Sequence, residues 1–97
     1  MRMARGTHLY VFAYDIERDR ARARVAKLLE NELVRVQKSV FEGRMTPTAA
    51  RRIAKKIGRE IAPTDSLRVY AVTAQGIDAS LSIGAAPIGE KSAFLLF

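Results

Sequence analysis

The chain contains no cysteine, and that absence removes two ways of stabilising so short a domain. Without thiols there are no disulfides and no thiolate–zinc sites. The lack of thiols also fits a reducing cytosol. The single histidine, His8, has no histidine or cysteine companion and reads as strand-edge surface. No Gly-rich phosphate loop, Ser/His/Asp set or zinc spacing is present. Long apolar runs are missing too, since nothing approaches the roughly 20 residues that span a bilayer. The run behind the basic N-terminus, Leu9–Tyr14, is too short for a signal-peptide core. A soluble, cytoplasmic protein without membrane association is therefore expected. At 97 residues it should form one domain. A domain of this size buries only about 60–65% of its unfolded surface, so tight packing or a partner subunit has to strengthen the core.

Positive charge is what the chain has in excess. Seventeen Lys and Arg stand against 10 Asp and Glu, a net charge of +7. On a small domain this favours a polyanionic partner.

Leu9–Tyr14 is an unbroken apolar run that reads as a strand covered on both faces, ended abruptly by Asp15. From Arg18 to about Asn31 the spacing of Ala21, Val25, Leu28, Leu29 and Leu33 predicts a helix. Val34–Phe41 is a strand region in which Lys38 and Ser39 mark a bulge or tight connection. Gly43 and Pro47 punctuate the chain before a second helix, with Thr46 as N-cap and Pro47 at its first position. Ala50, Ile53, Ala54, Ile57 and Ile61 form that helix's apolar stripe. Arg51, Arg52, Lys55, Lys56 and Arg59 occupy the rest, a solvated face or a diffuse DNA-contacting surface. Pro63 ends the helix, and Leu67–Val72 is the next strand.

This order is the βαββαβ pattern of an α+β, ferredoxin-like sandwich. Residues 8–73 form its core and 74–97 a C-terminal extension. In the extension Gln75–Ser80 reads as turn-like, Leu81–Gly84 as a brief strand and Gly84–Lys91 as a loop. Ser92–Phe97 is an apolar strand without a partner in its own fold, so it should pair with a sheet edge.

Phosphodiester hydrolysis commonly uses carboxylates to hold a hard cation. Asp15 is placed for this at the carboxyl end of an apolar strand, although an aspartate there also caps helices or closes turns. A symmetric dimer would bring a second Asp15 to the site. Glu17 and Asp19 favour the positive end of the helix that follows. Arg22 falls near the apolar arc of Val25 and Leu29. It either snorkels to water or turns back toward the strand end to contact phosphate. Arg35 and Phe41, on the second strand region, have the chemistry to grip a phosphate and stack a base, although a lone phenylalanine on a strand is more often core. An RNA-recognition domain of the same fold would need clustered aromatics in a basic-Gly-aromatic setting, which this sequence lacks.

Tyr14-Asp15-Ile16, Arg22-x-Arg24-Val25-Ala26-Lys27-Leu28-Leu29, Arg35-Val36-Gln37-Lys38-Ser39-Val40-Phe41-Glu42-Gly43 and Leu67-Arg68-Val69-Tyr70 follow one another in order. Together they resemble the CRISPR-associated Cas2 family over nearly the whole chain. The resemblance implies a ferredoxin-like homodimer in which the last strand of each chain, here Ser92–Phe97, joins the other chain's sheet. It implies that two Asp15 residues bind Mg²⁺ or Mn²⁺ in an endonuclease acting on RNA or DNA. Tyr14, Arg22, Arg24, Arg35 and Phe41 are expected to contact nucleic acid, and the resemblance implies that the partner is a CRISPR integrase subunit bridged by the dimer. In that assembly the protein could serve as a DNA-binding scaffold that cuts nothing. One departure from the pattern is Glu17-Arg18-Asp19, where many relatives carry two adjacent acidic residues.

Overall fold

The computed structural model describes residues 6–84 and Ile88. Along the chain come β1 (His8–Asp15), α1 (Asp19–Glu30), β2 (Val34–Gln37), β3 (Val40–Met45), α2 (Pro47–Gly58), β4 (Ser66–Val72) and a short α3 (Ala74–Ala79). The four strands form one antiparallel sheet in the order β2-β3-β1-β4, the arrangement expected of a ferredoxin-like α+β sandwich.

Alternation along β1 sorts its side chains between two environments. Tyr10, Phe12 and Tyr14 point to the helices and join Phe41, Val25, Leu29, Ile53 and Ile57 in one core. Phe12, Phe41, Leu29, Ile57 and Val25 are fully buried there. Leu9, Val11, Ala13 and Asp15 point the other way. On that side coverage fades along the strand: Leu9 is fully buried, Val11 and Ala13 are half-buried, and Asp15 is exposed. The expectation of cover on both faces therefore holds at one end of β1 only.

The helices follow their apolar spacing. Ala21, Val25, Ala26 and Leu29 of α1 and Ala50, Ile53 and Ile57 of α2 are buried. At the start of α2, the Thr46 hydroxyl oxygen accepts from the backbone N–H of Ala49 at 3.2 Å, and Pro47 takes the first position. Two ion pairs tie the helices together at opposite ends. Arg24 of α1 meets Glu60 beyond the end of α2 at 2.8 Å, and Arg52 of α2 meets Glu32 beyond the end of α1 at 2.9 Å.

Of the two readings of Lys38 and Ser39 the tight connection holds: they join two separate strands, and a register shift between Arg35 and Gln37 accompanies the turn. Other sequence expectations are corrected. Gly43 is no punctuation but a buried residue inside β3. A Cβ there would lie 3.1 Å from Leu33 Cγ, so the glycine admits a close approach of side chain to sheet. The second helix stops at Gly58, well before Pro63. Residues 74–79 form a helix capped by the Thr73 hydroxyl, which accepts from Gly76 N–H at 3.1 Å. Leu81–Gly84 is not a strand, and Leu81 and Ile83 are exposed. Ser92–Phe97 lies outside the described residues. No helix among the described residues is long and apolar enough to cross a membrane.

Candidate functional site

Asp15 is the last residue of β1, opposite Ser66 of β4. Its neighbours Tyr14 and Ile16 are buried among the helices, so the strand's alternation sets the Asp15 carboxylate on the helix-free face. The carboxylate is exposed and has no hydrogen bond or ion pair among the described residues. It caps neither the following helix nor a turn. The N-cap of α1 is Arg18, without a side-chain cap bond.

The loop after Asp15 is held from two sides. Arg22 reaches back from α1, and its Nη1 donates to the carbonyls of Ile16 at 3.0 Å and Glu17 at 3.3 Å. Its other terminal nitrogen pairs with Asp19. Of the two readings of Arg22, the structure supports the turn back toward the strand end. From the other side comes Asp65, which the sequence reading did not single out. Its Oδ1 accepts from Glu17 N–H at 3.1 Å and its Oδ2 from Ala62 N–H at 2.8 Å. Pro63-Thr64-Asp65 ahead of a strand is a turn signature, and that was the available signal. What it could not show is that Asp65 reaches the loop 48 residues earlier.

Tyr14, Arg35 and Phe41 come together around the carbonyl of Lys38. The Tyr14 hydroxyl donates to it at 3.0 Å, and Arg35 donates from Nε at 3.1 Å and Nη2 at 2.6 Å. The Arg35 guanidinium lies 5.4 Å above the Phe41 ring centre, and Tyr14 stacks on the same ring at 6.2 Å. Phe41 is fully buried and Tyr14 nearly so. Of the two readings of Phe41 the core one holds and base stacking does not, because its ring offers no free face. What Tyr14 and Phe41 do here is seat Arg35, whose Nη1 also faces Glu30 at 3.6 Å.

Arg22 and Arg35 share a groove of about 620 Å³ between α1 and the β2–β3 turn, with Lys38, Asp19 and Glu30 on its walls. Asp15 does not line it. Arg24 lies elsewhere, directed by its Glu60 pair to the packed edge between the two helices. The six residues singled out thus divide into an exposed carboxylate, a seated two-arginine groove and one arginine on the helical layer.

The chain is similar to known proteins over most of its length. The model for the family "CRISPR associated protein Cas2" matches residues 8–79, from the start of β1 to the end of α3. A CRISPR-associated endoribonuclease Cas2 of Chloroflexus aurantiacus is 38% identical over 85 residues, covering 86% of this chain and 91% of that protein. A CRISPR-associated endonuclease Cas1/endonuclease Cas2 fusion of Thermoproteus tenax is 32% identical over 83 residues, covering 82% of this chain and 31% of the fusion. Among solved structures, a chain of a partial Cas6-RT-Cas1–Cas2 complex superposes with a TM-score of 0.71 at 32% identity, covering 84% of this chain and 90% of that one.

Proposed function

The chain belongs to the CRISPR-associated Cas2 family, and from that premise we propose that it is a divalent-metal-dependent endonuclease of CRISPR adaptation, cutting phosphodiester bonds of RNA or DNA at Asp15. The observation that carries this reading is the exposed Asp15 carboxylate at the end of a central strand, unpartnered among the described residues. A relative named an endoribonuclease supports the reaction class.

One protomer supplies little to hold a cation. Among the described residues no group of three or more His, Asp or Glu stands together, and both oxygens of Asp65 already accept from backbone N–H groups. A homodimer packed through the helix-free faces would set a second Asp15 beside the first. Mg²⁺ is commonly held by one or two carboxylates while keeping several waters, so the paired carboxylates fit Mg²⁺ or the similar Mn²⁺. When bound, such an ion polarises the phosphate and activates water. The chain's own residues then bind and orient the substrate. Arg22 and Arg35 present their guanidinium groups to phosphate from the groove, and Tyr14 and Phe41 hold Arg35 in place. Arg24 would contact the backbone from the helical layer.

The test is cleavage of single-stranded RNA and duplex DNA with and without Mg²⁺, by the native protein and by Asp15→Asn. Asparagine keeps the size and loses the charge, so turnover should fall about 100-fold or more while the fold persists. Equal turnover by the variant would overturn the proposal.

A second reading is a DNA-binding scaffold for the Cas1 integrase subunit, without cleavage. It is favoured by the Cas1 fusion among the relatives and by the Cas1–Cas2 complex among the similar structures. Under that reading Asp15→Asn would still bind Cas1 and DNA and still support spacer insertion.

A further inference from the structure

The cations of α2 and of its C-cap, Arg59, are not equivalent once the fold is known. Arg51, Arg52, Lys55, Lys56 and Arg59 are all exposed, spread over about 140° of helix at 100° per residue, opposite the buried Ala50, Ile53 and Ile57. The side nearest α1 is neutralised, since Glu32 holds Arg52 at 2.9 Å and also feels the charge of Lys56. At the far end Glu60 is committed to Arg24. Arg51, Lys55 and Arg59 keep no ion pair or side-chain hydrogen bond among the described residues. They fall at i, i+4 and i+8, which lines them up along the helix at about 6 Å intervals. No Asp or Glu occurs between Glu42 and Glu60 to interrupt them.

Like charges at this spacing repel, and nothing in the described fold relieves them. A polyanion would. The rail lies on the helical layer, whereas Asp15 lies on the opposite face of the sheet, so one stretch of nucleic acid at Asp15 leaves the rail free for another. We propose that Arg51, Lys55 and Arg59 form a second nucleic-acid contact, gripping a phosphodiester backbone that runs along α2. The inference rests on the reading of the protein as a nucleic-acid-binding protein and adds a surface to it. Phosphate contact of this kind positions a strand without reading its sequence.

The experiment measures affinity for a short duplex DNA and for a single-stranded RNA of mixed sequence between about 50 and 200 mM salt. The variants are Arg51→Gln/Lys55→Gln/Arg59→Gln and the charge-preserving Arg51→Lys/Lys55→Arg/Arg59→Lys. Removing three phosphate contacts should flatten the slope of log K against log salt by about 2.7 for duplex DNA and about 2 for RNA. For duplex DNA that compresses the low-salt to high-salt affinity ratio roughly 40-fold. The charge-preserving variant should keep the native slope. Native slopes in the glutamine variant, with steep salt dependence in the native protein, would overturn the rail and leave nucleic-acid binding standing. Absence of salt-dependent binding by the native protein would overturn both. A glutamine variant that keeps its slope but loses co-purification with Cas1 would assign the rail to an acidic protein surface, which also overturns the proposal.

Discussion

Lys38 contributes most through its backbone. Its carbonyl accepts from the Tyr14 hydroxyl and from two nitrogens of Arg35, so the β2–β3 turn is tied both to the end of β1 and to the arginine that faces the groove. Tyr14→Phe removes one of those bonds and keeps the ring against Phe41. Urea unfolding should show a loss of about 0.5–1.5 kcal/mol. A larger loss would mean that the hydroxyl holds the whole turn. At this scale the sequence was partly readable. Asp15 stood out because a carboxylate abruptly ends an apolar run, and Arg22 because a cation beside Val25 and Leu29 needs a destination. Phe41 could not be assigned, since an aromatic on a strand looks the same whether its ring is free or closed by Tyr14 and Arg35. Asp65 was missed and Gly43 misread as punctuation for a related reason. One reaches a loop 48 residues away and the other makes room for Leu33, and neither relation has a local signature.

The two helices are joined by reciprocal arginine–glutamate pairs, and one of these has a pH signature. Glu32 titrates below its ordinary value, chiefly because Arg52 donates hydrogen bonds to its carboxylate, with the charges of Arg52 and Lys56 adding to the effect against a desolvation that opposes it. A carboxyl lowered on folding stabilises above its unfolded pKa, and the contribution disappears as pH falls through the folded value. Arg52→Ala should therefore destabilise the protein at neutral pH and make no difference well below pH 4. The effect at neutral pH should be small and reduced by salt, because the pair is largely exposed. Thermal melts of both proteins across that range check it, and a difference that persists in acid would point to lost packing of the arginine stem. Elements were legible where a local rule applied, as for the Thr46 cap with Pro47 and the stripe of Ala50, Ile53 and Ile57. Helix α3 was not, because no residue in it is buried and Gly76 sits inside it, so no apolar period exists to be read. The break between β2 and β3 was legible at Lys38 and Ser39 as one of two readings, a bulge or a tight connection, between which local sequence does not choose.

For the whole molecule, the helices cover one face of the sheet and leave Asp15 exposed on the other, while β4 pairs only with β1 among the described residues. A second copy of the chain would use both features, its open face meeting this one and its Ser92–Phe97 segment pairing along the edge of β4. Deleting Ser92–Phe97 should weaken self-association in sedimentation experiments. An equally tight dimer would exclude strand exchange. In the proposed mechanism two Asp15 carboxylates, one from each protomer, serve one catalytic centre. Mixed dimers of native and Asp15→Asn chains test it most directly, with cleavage measured in Mg²⁺ as the native fraction is lowered. Shared use predicts that activity follows the square of that fraction, leaving about a quarter at equal mixing. A linear fall to about half at equal mixing would show that each Asp15 works alone, and no fall at all would remove Asp15 from the chemistry.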